Sequence, residues 1–126
     1  MSDEFYTRPI LSVQDVSASL AYYIEKLGFS KAWSHTDKPI IAQVNRNGLD
    51  LILDSASVIP RAGKPTVLSM SLHQNDKLGE LYTELQNRGA RIVSPPAKVP
   101  WDKDLHQLVV EDLDGNLLVF WGDKPE

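Results

Sequence analysis

The chain has no cysteine, which removes disulfides, thiolate metal sites and thiol nucleophiles together. It has no basic run either: 13 Lys and Arg are scattered along it and outnumbered by 17 Asp and Glu, for a formal net charge of -4. Phosphate binding calls for a basic face, so nucleic acid is set aside as a partner. No stretch approaches the roughly 18 apolar residues of a membrane span. The first residues carry Asp3 and Glu4 and lack the apolar segment of a secretory leader. The expectation is a cytoplasmic protein that binds neither nucleic acid nor membrane. What is present is 126 residues, 42% hydrophobic and 24% charged, the make-up of a single domain, 1–126, with a substantial core. An acidic chain accommodates a neutral or cationic small ligand more easily than an anionic one.

The apolar pattern repeats. A short run from Pro9 to Val13 is followed by Val16, Leu20, Tyr23, Ile24 and Leu27 at helical spacing. Asp15 is placed to accept the orphan amides of the helix start, and Gly28 to take the left-handed turn that ends it. Thr66 to Leu72 again reads as strand, and Asp76, then Leu78, Leu81, Tyr82 and Leu85, then Gly89, repeat the helix with its two caps. Asp15 to Asp76 and Gly28 to Gly89 are both 61 residues apart, which points to an internal duplication. After the first helix come strand-like segments at Phe29 to Ser34, Ile40 to Asn45 and Leu49 to Leu53, the last two joined by Asn47-Gly48, a strong hairpin signal. After the second come Arg91 to Val93, a Pro-rich loop from Pro95 to Pro100, His106 to Val110, and Asn116 to Trp121 beyond the turn Asp114-Gly115. Each half reads βαβββ. The first module covers about 1–56 and the second about 65–126, with a linker between them at about 57–64, inside the stretch Asp54 to Lys64 that carries Pro60 and Gly63.

The string Val13-Gln14-Asp15-Val16-Ser17-Ala18-Ser19-Leu20-Ala21-Tyr22-Tyr23, with Leu27-Gly28-Phe29 after it, resembles the opening of the vicinal oxygen chelate superfamily, which groups glyoxalases, bleomycin-resistance proteins and dioxygenases. Val99-Pro100-Trp101, then Asp112-Leu113-Asp114-Gly115-Asn116, resembles its second signature, with Leu113 where a proline is usual. Taken singly, each piece also reads as an ordinary helix stop, turn or packing pair. The resemblance implies an α+β fold in which two βαβββ modules form a curved, cup-shaped mixed sheet with helices outside and a ligand in the cup.

Enzymes of that superfamily hold a divalent metal on His, Gln or Glu from the first and last strands of each module, where it acts as a Lewis acid on a substrate oxygen. The corresponding positions here fall on Arg8, Ile52, Val67 and Val119. A guanidinium has only donors, and the other three side chains have no ligand atom. A slip of two residues offers Asp50 or Asp54 near Ile52 but nothing near Val67 or Val119. His35, His73 and His106 are not grouped in sequence. The expectation is therefore no metal, no cofactor and no catalytic residue of the family type.

Without a metal the resemblance is closest to bleomycin-resistance-like proteins, which implies a homodimer that sequesters an aromatic or cationic ligand, a drug among the candidates, in clefts between subunits. Pro9 resembles the proline of that type near the strand whose arm crosses to the partner, so arm exchange is one form the dimer can take. Aromatic platforms suit such ligands through stacking and cation-π contact. The candidate ligand-binding residues are Trp101, Arg8, Asp50, Ile52, Trp33, His106, Val119 and Trp121. Trp101 leads, because drug-binding relatives place an aromatic residue there beside the ligand; its alternative role is loop packing. Arg8 and Asp50 are open to pairing with each other or with a ligand. The competing function is a glyoxalase-like lyase, isomerase or dioxygenase with a displaced or absent metal site, or a metal-independent one using Arg8, Asp50 or His106. A third is a filled cup that serves only as a structural or interaction module.

Overall fold

The computed structural model describes residues 4–55, 63–71 and 77–123. The first module contains β1 (Ile10–Ser12), α1 (Val16–Glu25), β2 (Ser30–Ser34), β3 (Ile41–Arg46) and β4 (Leu49–Asp54). The second contains β5 (Val67–Ser71), α2 (Leu78–Arg88), β6 (Arg91–Lys98), β7 (Leu105–Glu111) and β8 (Leu117–Asp123). Each forms its own four-stranded sheet, in the orders β1-β4-β3-β2 and β5-β8-β7-β6. The pairs β1/β4 and β5/β8 are parallel and the rest antiparallel. The two halves are thus the same βαβββ unit twice, the α+β architecture expected from the repeated caps.

Local chemistry sets the element ends. Asp15 adopts an extended backbone and its carboxylate accepts from Ala18 N at 3.1 Å, capping α1. Gly28 has φ +75 beyond that helix. In α2, Gly89 has φ +81, and Ala90 N reaches Leu85 O at 3.0 Å across the helix end. Asp76, expected at the start of this helix, lies outside the described residues; Lys77 stands directly before Leu78. Leu72, His73 and most of the linker also lie outside them. The Asn47-Gly48 pair has φ of 46 and 90, the left-handed values of a tight hairpin turn.

The Pro-rich segment is a correction. A loop was expected from Pro95 to Pro100, yet β6 runs through Pro95 and Pro96 to Lys98. The ladder to β7 slips at Ile92/Ser94 and again at Ser94/Ala97. β6 is the edge of its sheet, and an edge strand with bulges tolerates residues that have no N–H to donate.

One face of each sheet packs on its helix. Leu11, Ala42, Val44, Leu51 and Leu53 from the first sheet and Leu108, Val110, Leu118 and Phe120 from the second join Tyr23, Leu78 and Leu85 in one hydrophobic cluster. Alternation places the intervening residues on the opposite, helix-free face of each sheet. No helix among the described residues is long and apolar enough to cross a membrane.

Two junctions join the modules. At the first, α1 meets the β7–β8 turn. Tyr22 Oη donates to Glu111 O (2.7 Å) and accepts from Arg91 N (3.0 Å), while Tyr23 Oη donates to Asp112 Oδ2 (2.9 Å). Asp112 is fully buried. Its other oxygen accepts from Asp114 N (2.8 Å) and Asn116 N (2.9 Å), and Asn116 Nδ2 donates both to Asp112 Oδ2 (2.9 Å) and to Ser12 O (3.1 Å). At the second junction, α2 meets the β3–β4 turn. Arg46 makes a two-pronged bond to Glu84 (2.7 Å each) and caps Leu27 O (2.8 Å), and Arg88 adds a bond to Glu84 (2.7 Å) and one to Glu25 O (3.1 Å). Gly28 is glycine here for a second reason: a Cβ would run into Arg46 Nη1 and Glu84 Oε2.

Candidate functional site

On the helix-free face of the first sheet, the strand register brings most of the expected residues together. Ile10 pairs with Ile52, Ile52 with Gln43, Asn45 with Asp50, and Trp33 with Gln43. Residues opposite each other on paired strands share a face, so Arg8, Trp33, Asp50 and Ile52 all lie on this side. Gln43, only 8% exposed, is the hub. Its Oε1 accepts from Trp33 Nε1 (3.1 Å) and Arg8 Nη1 (3.3 Å). Its Nε2 donates to the Asn45 amide oxygen (2.9 Å) in one setting of that amide. In the other setting the Asn45 nitrogen donates to Asp50 Oδ1 (2.9 Å). Sequence reasoning missed Gln43 and Asn45; their place two residues apart on a strand facing Asp50 and Ile52 was the available signal.

The Arg8–Asp50 pair raised from the sequence does not form. The long Arg8 side chain reaches across to Gln43, with its guanidinium 5.7 Å from the Tyr6 ring centroid. No ion pair joins Arg8 to Asp50 among the described residues.

The second sheet presents an aromatic face. Val119 pairs with Ser69 and Val109, and Trp121 with Ser71 and Gln107, so Val67, Val119 and Trp121 share the helix-free side. Trp101, in the β6–β7 connection, packs its ring on Trp121 with centroids 5.9 Å apart and planes tilted by 52°. Trp101 is 66% exposed, whereas Trp121 is half-buried, and its indole Nε1 is buried with no hydrogen-bond partner among the described residues. Here Trp101 and Trp121, singled out separately, form one feature.

His106 does not belong with them. It pairs with Gly122 and Lys98 and alternates in step with Leu108 and Val110, which puts it on the helix side of β7. Its Nδ1 is buried without a partner among the described residues. An alternating strand turns every second residue away from the cup, and His106 is one residue out of phase with Gln107, which does face it.

The residues at the family's metal positions do not fit a divalent cation. Arg8 and Ile52 share the helix-free face of the first sheet and Val67 and Val119 that of the second, and of the four only Arg8 is polar, with donors alone. Among the described residues no group of three or more His, Asp or Glu could hold a metal ion. A cavity of about 460 Å³ exists at the second junction, lined by Arg46, Leu49, Met70, Leu81, Glu84 and Phe120 among others.

The ionisable groups follow the junctions. Hydrogen bonding to Arg46 and then Arg88, against some burial, holds the Glu84 carboxyl down from 4.5 to about 2. Burial raises the Tyr22 hydroxyl above 10.0. Burial, reinforced by the Asp112 carboxylate, raises that of Tyr23 well above it.

A duplicated βαβββ unit with a helix on one face of each sheet and open sheet faces on the other defines a paired-module cup protein. A family model described as the glyoxalase/bleomycin resistance protein/dioxygenase superfamily matches residues 6–120, and the chain belongs to that superfamily. Solved structures agree on the fold. TioX from Micromonospora sp. ML1 is 19% identical with a TM-score of 0.77, covering 95% of this chain and 100% of its own. A glyoxalase/bleomycin resistance protein/dioxygenase from Nocardioides is 20% identical with a TM-score of 0.73, covering 98% and 86%. A superfamily member from Sphaerobacter thermophilus DSM 20745 is 24% identical with a TM-score of 0.70, covering 98% of each chain. At these identities the likeness is one of fold. No curated protein matches the sequence.

Proposed function

We propose that this protein is a metal-independent binding protein that takes an aromatic or cationic small molecule, a drug among the candidates, out of solution in the cytoplasm. The observation that carries the reading is the Trp101–Trp121 pair, standing on the same face as Val119, where catalytic relatives place a metal-binding carboxylate. A planar ring can stack there, and a cation can be held over an indole face. The first sheet supplies the polar complement, Arg8, Gln43, Asn45 and Asp50 around Trp33.

Each helix-free face is open in a single chain. Ile10 (45%), Trp33 (39%) and Val67 (68%) are exposed there, beside Trp101. A two-fold homodimer that set the first sheet of one copy against the second sheet of the other would cover both faces and make two equal clefts. Chain exchange at the arm before β1 is one way to build it.

The test is metal analysis of protein purified without chelator or histidine tag, then titration with nickel, manganese, zinc and iron, read by tryptophan fluorescence, with sedimentation to give the mass. The expected result is a dimer that retains no stoichiometric metal and binds none at micromolar levels. One tightly held metal per subunit, or turnover by the metal-free protein, would move the reading to an enzyme; a monomer would remove the shared clefts.

A further inference from the structure

The three indoles of this chain are not equivalent. Trp33 Nε1 has an acceptor in Gln43 Oε1 at 3.1 Å. Trp121 Nε1, on the helix-free face of the second sheet, is buried and has none among the described residues, although Gln107 stands directly opposite on β7. An indole N–H can only donate, and a buried donor left unmet is a costly feature that calls for an explanation.

Packed on the Trp121 ring is a large side chain that is mostly exposed, Trp101. Trp101 belongs to the connection between Lys98 and Leu105, which is tied at its base by Val99 N to Leu105 O (3.0 Å) and Asp104 N to Asp102 Oδ1 (2.9 Å). Val99 is buried and anchors the loop, while Trp101 at its tip is 66% exposed and rests against Trp121 by ring contact. A tilted contact at 5.9 Å is readily exchanged for another aromatic ring.

We infer that Trp101 is a swinging cover and that the ligand is a planar aromatic molecule with an acceptor at its edge, an unprotonated ring nitrogen or a carbonyl. The ligand takes the place of the Trp101 ring beside Trp121 in the same tilted setting rather than flat upon it, so that its edge acceptor reaches the indole plane and receives the Trp121 Nε1 proton. This rests on the aromatic-site reading above and narrows it: stacking alone accepts any flat ring, whereas the unmet donor selects among flat rings.

Isoquinoline and naphthalene test it, being the same shape and differing in one acceptor nitrogen, which is unprotonated at pH 8. Protein labelled with nitrogen-15 gives one indole signal per tryptophan, and Trp121→Phe assigns the one that matters. The expected result is a downfield shift of the Trp121 indole proton with isoquinoline only, and about tenfold tighter binding of isoquinoline than of naphthalene, the worth of one hydrogen bond. The preference should fall to about one in Trp121→Phe, which keeps a ring. Independently of that variant, Trp101→Ala should speed exchange of the Trp121 indole proton with water several-fold. Equal binding of both probes with no indole shift overturns the inference and leaves the stacking site standing. Failure of both probes to bind removes the stacking site and the inference with it. Unchanged indole exchange in Trp101→Ala shows that Trp101 is not the cover.

Discussion

The two junctions between the modules occupy equivalent places in a duplicated fold and are built from opposite chemistry. Where α1 meets the β7–β8 turn, one tyrosine hydroxyl, two backbone N–H groups and a side-chain amide converge on one fully buried carboxylate that holds the turn closed. Where α2 meets the β3–β4 turn, two guanidiniums share one carboxylate whose side chain is 37% exposed, beside a cavity. Duplication fixes where contacts must form but not what forms them. The burial of each junction decides how much its residues matter, since a buried charge without partners is costly while an exposed pair is worth little.

The most direct way to break the first junction is Asp112→Ala. It leaves the Tyr23 hydroxyl, two backbone N–H groups and the Asn116 amide without their acceptor, and should destabilise the protein by about 3–5 kcal/mol in urea unfolding. The second is broken hardest through its glycine: Gly28→Ala imposes both a left-handed backbone and a clash with Arg46 and Glu84, for about 2 kcal/mol. Gly48→Ala, with φ +90 and nothing within 4 Å of the added carbon, should cost only about 1 kcal/mol, so the difference between the two isolates the junction. Tyr23→Phe removes one donor from a carboxylate that keeps its others and should cost about 1 kcal/mol.

The smallest effects sharpen the comparison by pH. Glu84 has its folded pKa lowered to about 2 from 4.5, so its contribution is present above pH 4.5 and lost as the pH falls toward 2. Glu84→Gln should flatten the acid side of a stability-pH curve. Tyr22 and Tyr23 have folded pKa values raised above 10.0, so theirs is present below pH 10 and lost as the pH rises beyond it. Phe at both positions should flatten the alkaline side and leave the acid side unchanged. If both limbs respond to either variant, the junctions are not independent.

These contrasts also explain what could be read from the chain in advance. The duplicated modules were legible because caps and turns are local: Asp15, Gly28, Asn47-Gly48 and Gly89 each act within a few residues of themselves. Tyr22-Tyr23 and Asp112 were legible as family signatures, and their separate bland readings were sensible, because nothing local shows that residues 89 apart bond to each other. The Arg46–Glu84 link was invisible for the same reason. The full length of β6 is not legible locally, because Pro95 and Pro96 look like loop residues unless the strand is known to be an edge, which is a property of the whole sheet. In the candidate site, alternation ordered Val119 and Trp121 on one face, whereas His106 needed the phase of β7, and the Trp101 ring needed the path of a loop.

The prolines of β6 bear on how copies of this chain can meet. An outermost strand ordinarily offers a row of free backbone donors and acceptors, an open invitation for another chain to zip on and for growth to continue without end. With Pro95 and Pro96 side by side and two slips in the ladder to β7, that margin is blunted against recruitment of further strands. Along this border the backbone offers a poor template for a further strand, so any contact between copies is disfavoured there.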